Sequence, residues 1–210
     1  RKHVYSGALA RTQGRDWEKE IQSQFSCYFR GKVACLAIMP VPTEAANFKV
    51  LIKGGAQNRI LRYQNGAAPF DIYGYTMEAC AGFKVGTFIG AELKNSYQHK
   101  TSLPIQKESG GGGGIQIHQL YALEEAAVNG CISRILWRNE REIGLLDEKG
   151  VIEATYIFNQ YLKTSGSNGR ASIPWEKFQK IGYQQVGSGS AVAWLPVRKI
   201  DNVFRTSSLP

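Results

Sequence analysis

Apolar residues first fall into a helical rhythm near the start of the chain. Trp17, Ile21, Phe25 and Tyr28 stand at i, i+4, i+8 and i+11, which predicts a helix closed by Gly31. Val33 to Met39 is a continuous apolar run between Gly31 and Pro40 and predicts a buried strand. Pro40, Pro42 and Thr43 end it. Phe48 to Tyr63 turns at Gly54-Gly55 and predicts a basic hairpin or loop carrying Lys49, Lys53, Arg59 and Arg62. After a break at Gly66 to Pro69, Phe70 to Thr76 reads as a strand. The next strand, Gly86 to Asn95, puts Ile89, Ala91 and Leu93 on one face, with Phe88, Gly90, Glu92 and Lys94 on the other. Gly110 to Gly114 reads as a flexible linker inside a Gly-rich loop over 106–116. Ile117, Leu120, Tyr121, Ala127 and Val128 predict a second helix ending at Gly130. Ile132 to Trp137 and Ile143 to Leu146 form a strand pair around the charged turn Arg138 to Arg141. Val151 to Leu162 is a third helix, and Ile173 to Glu176 a strand end entering a helix. The order predicts a mixed α/β or α+β domain over 14–185, with a loose basic lead-in at 1–13 and an irregular tail at 186–210.

Composition narrows the class. The 210 residues are 43% hydrophobic and 11% aromatic, enough for a sizeable core and too much for a disordered tail. No apolar run approaches the ~18 residues of a membrane span, and no basic-then-apolar leader follows Arg1. Cys27, Cys35, Cys80 and Cys131 match no zinc spacing and are too few for a disulfide scaffold. A reducing, cytoplasmic setting is the expectation. Lysine and arginine number 26 against 17 acids, a net charge of +9. That excess favours a polyanion, nucleic acid before an acidic membrane surface.

The candidate chemistry lies on the hairpin between the two middle strands. Neighbouring strands run about 4.8 Å apart, so Asp71 on one and Glu92 on the next can converge on one divalent cation. The i, i+2 spacing sets Lys94 on the face of Glu92, within reach of a metal-bound water. Carboxylate oxygens suit Mg²⁺ or Mn²⁺, and such a centre hydrolyses phosphodiesters. The same residues also fit a turn cap at Asp71 and a surface ion pair between Glu92 and Lys94.

Several segments resemble one family in order. Gly14-Arg15-Asp16-Trp17-Glu18-Lys19-Glu20-Ile21 resembles the first helix of the PD-(D/E)xK nucleases, and Pro69-Phe70-Asp71 with Glu92-Leu93-Lys94 is similar to their metal motif. Gln119 with Leu123 matches a pattern of their second core helix. Lys100-Thr101-Ser102-Leu103-Pro104-Ile105, His118-Gln119, Asp71-Ile72-Tyr73-Gly74 and Ala171-Ser172-Ile173-Pro174-Trp175 resemble segments of the RecU-type Holliday junction resolvases. The similarity spans about Gly14 to Gly182. Five glycines stand where those proteins carry a short histidine-bearing loop, and Arg1 to Gln13 also differs. The resemblance implies a restriction-endonuclease-like core, a central mixed sheet flanked by helices. It also implies a stalk inserted after the first strand, for which 48–64 is the candidate.

The resemblance further implies a Mg²⁺-dependent endonuclease with Asp71 and Glu92 as ligands and Lys94 at the water. Glu18 is expected to complete the site or orient its water, with Glu20 as its rival. Gln119 is a candidate for a phosphate or the attacking water. Lys49, Lys53, Arg59 and Arg62, together with Lys100 and Thr101, are candidates for the DNA backbone. His99 reads as a surface residue, and Trp137, Trp175 and Trp194 more as core than as stacking platforms. The partner is expected to be branched or duplex DNA, with no membrane, and the working unit a homodimer. Tyr161, Trp175, Phe178, Tyr183 and Trp194 are the surface offered for it. The alternatives are a related nuclease acting on linear duplex and a non-catalytic DNA-binding module.

Overall fold

A computed structural model of the chain describes residues 16–39, 49–54, 57–62, 68–79, 81–96, 98–106, 114–165, 171–181, 184–186, 189–191 and 194–195. The lead-in at 1–13 and the glycines 110–113 lie outside them. The predicted first helix is two segments, α1 over 16–23 and α2 (Phe25–Arg30), separated by a turn at Gln24. Gly31 closes α2 with a right-handed φ of −70°, and the left-handed residue is Lys32 at φ 57°. The expected glycine cap is thus displaced by one position.

The strands are β1 (Ala34–Ile38), β2 (Lys49–Gly54), β3 (Gln57–Arg62), β4 (Ile72–Thr76), β5 (Phe88–Ser96), β6 (Ser102–Gln106) and β7 (Ile115–Gln116). Helix α3 (Ile117–Val128) precedes β8 (Ile132–Asn139) and β9 (Glu142–Leu146). Helix α4 (Glu148–Ser165) then leads to β10 (Ser172–Pro174), β11 (Gln179–Ile181), β12 (Gln184–Val186) and β13 (Gly189–Ala191). A mixed six-stranded sheet runs in the order β1-β4-β5-β8-β9-β11, in which only β5 and β8 are parallel. A parallel neighbour needs a crossover, and α3 lies within it. β10-β6-β7 form a small second sheet, and β2-β3 and β12-β13 are separate hairpins.

Each face of the sheet buries its own cluster. On one, Trp17, Ile21 and Tyr28 of α1 and α2 cover Ile89, Ala91, Leu93, Ile132 and Leu136. On the other, Leu120, Leu123, Val151 and Phe158 of α3 and α4 cover Ile135 and Trp137. The β5 alternation thus falls as the sequence predicts. The face of α3 does not. Tyr121 and Val128, counted as inward, are 38% and 68% exposed, while Gln119, Leu120, Leu123 and Ala126 are buried. At the C-terminal end, the β12–β13 hairpin crosses the boundary expected at 186, and Trp194 and Leu195 are buried in the α1–α2 cluster. Trp194 packs edge-on against Tyr28 with centroids 5.9 Å apart, and its backbone N–H donates to the Tyr28 hydroxyl.

Candidate functional site

Register assembles the site. The β4–β5 hairpin aligns Ile72 with Ala91, so Asp71, one residue ahead of β4, comes beside Glu92. Three backbone contacts fix it there. Its N–H donates to Ala91 O at 3.0 Å, its carbonyl accepts from Met39 N at 2.8 Å, and its Oδ2 accepts from Leu93 N at 2.8 Å. Beneath it β5 is cut back at Gly90, where a Cβ would come within 2.9 Å of the Phe70 ring. Glu92 and Lys94 follow on the same face of β5 as Gly90, towards α3. Lys94 Nζ donates to Glu92 Oε1 at 2.5 Å and to Gln119 Oε1 at 3.3 Å, and the same Gln119 oxygen accepts from Gln116 N at 3.0 Å. The first turn of α3 is thereby tied to β5.

The ion pair between Glu92 and Lys94 forms, but not at the surface. The Glu92 side chain is fully buried, whereas a surface ion pair requires exposure. Its Oε2 is enclosed and accepts no hydrogen bond. Burial, then the neighbouring Asp71 carboxylate, pushes the Glu92 carboxyl up to about 8 despite Lys94 beside it. Burial works against the charge on Lys94, yet the Glu92 and Asp71 carboxylates outweigh it and raise the ammonium above its ordinary value. An enclosed carboxylate oxygen without a donor is a costly feature. The oxygen donors of Asp71 and Glu92 fit a hard divalent ion such as Mg²⁺ or Mn²⁺. Among the described residues no three or more His, Cys, Asp or Glu side chains group to hold an ion. Two carboxylates match the habit of Mg²⁺, which keeps several of its waters.

The remaining predicted residues fall into place unequally. Glu18 is half-buried on α1, and its charge reaches Lys94, helping to raise it. Its rival Glu20 is engaged elsewhere, 2.8 Å from Arg138, whose guanidinium lies 5.4 Å over the Trp17 ring. Lys100 and Thr101 are exposed just beyond β5. Lys49, Lys53, Arg59 and Arg62 lie on the β2–β3 hairpin, which pairs with no strand of the central sheet. Its register sets Lys49 opposite Arg62 and Arg59 opposite Ile52. His99 is exposed, as predicted. Trp137, Trp175 and Trp194 are buried, and Trp175 and Phe178 stack with centroids 5.8 Å apart. Trp175, Phe178 and Trp194 close the core, which corrects the expectation for those three; Tyr161 is half-buried, and Tyr183 lies outside the described residues.

Sequence reasoning missed Asn139, fully buried at the end of β8, whose carboxamide holds the Lys100 peptide. An asparagine before a charged turn signals only the turn. It also missed the buried ion pair between Arg134 and Glu148, which joins β8 to the start of α4. No protein-family model matches the chain, and no curated protein matches it in sequence. Among the described residues no helix is long and apolar enough to cross a membrane.

Proposed function

We propose that the chain is a metal-dependent, structure-specific DNA endonuclease that resolves four-way junctions by phosphodiester hydrolysis. The observation that carries this reading is the enclosed, unpartnered Oε2 of Glu92 beside a backbone-fixed Asp71 and a charged Lys94. The topology agrees with it. An antiparallel run β1-β4-β5, a crossover through α3 and a parallel β8 are compatible with a restriction-endonuclease-like core that carries Asp71 and Glu92 on its central hairpin. The resemblance to RecU-type resolvases supplies the junction, and the net charge of +9 suits a polyanionic substrate.

Asp71 and Glu92 would hold the Mg²⁺ or Mn²⁺, which when bound supplies a water of lowered pKa and a clamp on the phosphate. The chain's own residues do the rest. The Leu93 N–H turns Asp71 and holds one of its oxygens, so the carboxylate is oriented before substrate arrives. Lys94 keeps its proton and presents positive charge where negative charge develops on the phosphorane, a contribution of the kind that is worth ~10² in rate. Gln119 accepts from Lys94 and from Gln116 at once, fixing the ammonium relative to α3. Glu18 adds negative charge near Lys94 from α1.

The test is cleavage of a synthetic four-way junction beside linear duplex of the same arms, with Mg²⁺ and with EDTA. Paired, Mg²⁺-dependent cuts in the junction are expected. Equal cleavage of the linear duplex would make the chain a duplex nuclease, and binding without cleavage in any metal would make it a DNA-binding module.

A further inference from the structure

Immediately beyond β5 the chain runs over the exposed residues Gln98 to Thr101 before entering β6. An exposed connection between strands is ordinarily free to sample many conformations. This one is pinned at three points. Asn139 Oδ1 accepts from Lys100 N at 2.7 Å, and Asn139 Nδ2 donates to Lys100 O at 2.8 Å. The Thr101 carbonyl accepts from Trp175 N at 2.9 Å. A carboxamide is a side-chain copy of a peptide group, so Asn139 pairs with Lys100 as a strand would, at the level where β5 has ended at Ser96 opposite Asn139. Asn139 itself cannot drift: it is fully buried, and the residue after it donates its N–H to Ser96 O at 2.7 Å. The outcome is a rigid backbone that turns the Lys100 and Thr101 side chains to solvent, six residues after Lys94 on the same strand connection.

Fixing a backbone while leaving a cationic and a hydroxyl side chain exposed contributes little to a core. It is the arrangement that prepares a phosphate contact, because ordering costs are met before the ligand arrives. We propose that Asn139 is a positioning residue. It holds Lys100 and Thr101 as a preset contact for the DNA phosphate backbone at the end of β5, the strand that carries Glu92 and Lys94. The inference rests on the nuclease reading and extends it to how substrate is registered on the site.

The experiment measures junction binding without cleavage, in Ca²⁺ or EDTA, as a function of salt, for wild type, Lys100→Ala, Asn139→Ala and the double variant. Each phosphate contact adds about 0.9 to the slope of log affinity against log salt. Lys100→Ala is expected to lower the slope by about one, Asn139→Ala by a similar amount, and the double variant no further than either alone. Independent sites would instead add. Asn139→Asp keeps the size and the acceptor towards Lys100 N but loses the donor to Lys100 O. It should show the same fall, and it serves if Asn139→Ala does not fold. A wild-type chain with no salt-dependent DNA binding would remove the nuclease reading itself. If wild type binds but Lys100→Ala keeps the full slope, or if folded Asn139 variants do, or if losses add in the double variant, the positioning role is overturned alone.

Discussion

At the scale of single residues, the proposed reading makes Asp71 and Glu92 groups that would stabilise a bound cation at the expense of the chain without one. Asp71→Asn keeps the shape and the bond from Leu93 N but removes a charge from the pair, so cleavage should be abolished while junction binding survives. Retained cleavage in that variant would take Asp71 out of the metal site. Glu92 allows a second check that needs no activity. In the metal-free chain its carboxyl titrates near 8 when folded, against 4.5 for an ordinary glutamate. Between those values the folded chain holds a proton that the unfolded chain has lost, so this group's contribution to stability falls as pH rises from about 4.5 to 8. Glu92→Gln removes the titration, and its stability relative to wild type in EDTA should climb across that window. Urea unfolding at pH 5 and pH 8 measures it, and a constant difference would show Glu92 to be ordinary. Asp71, Glu92 and Lys94 were legible in the sequence because strand alternation and the spacing of acid and lysine are local. Asn139 was not, because it acts through the backbone of a residue 39 positions away.

At the scale of elements, the strands were easier to read than the helices. β5 has both faces buried by different layers, and its alternation still told them apart, because Glu92 and Lys94 mark one side. On α3 the apolar count misled: Tyr121 faces outward, where its hydroxyl donates to Asn159 Oδ1 at 2.8 Å, while polar Gln119 turns inward to serve Lys94. The break at Gln24 was equally hidden, since the apolar spacing continues across it from Ile21 to Phe25 and Tyr28. The basic hairpin is the element whose role is most open to measurement. Its paired strands fall within the predicted Phe48 to Tyr63 span, and four cations sit on two short strands outside the central sheet. If they meet phosphates, neutralising Lys49, Lys53, Arg59 and Arg62 together should lower the salt slope of DNA binding by about three to four. An unchanged slope would put the electrostatic footprint elsewhere, with Lys100 the first place to look.

At the scale of the whole molecule, the argument for a dimer stands on substrate symmetry alone. The C-terminal aromatics gave it a surface in the sequence, and folding has withdrawn most of that surface: Trp175, Phe178 and Trp194 are 7%, 3% and 1% exposed. What the sequence could not convey is that these rings close two different clusters, Trp175 and Phe178 against Trp137 on one face of the sheet and Trp194 against Tyr28 on the other. On the proposed junction reading the need for two sites remains. Resolving a four-way junction requires cuts in two opposed strands, and one Asp71–Glu92 pair serves one phosphodiester at a time. A two-fold substrate is met most simply by a two-fold protein, each protomer offering the same face to its own strand. Sedimentation at micromolar concentration should therefore give twice the chain mass. Mixing wild type with an excess of Asp71→Asn should convert paired cuts into single nicks, since most active protomers would then sit beside an inactive one. A strict monomer that still cut both strands in one encounter would defeat the dimer, and with it the junction as the natural substrate, leaving the Asp71–Glu92 chemistry to a nuclease that works one strand at a time.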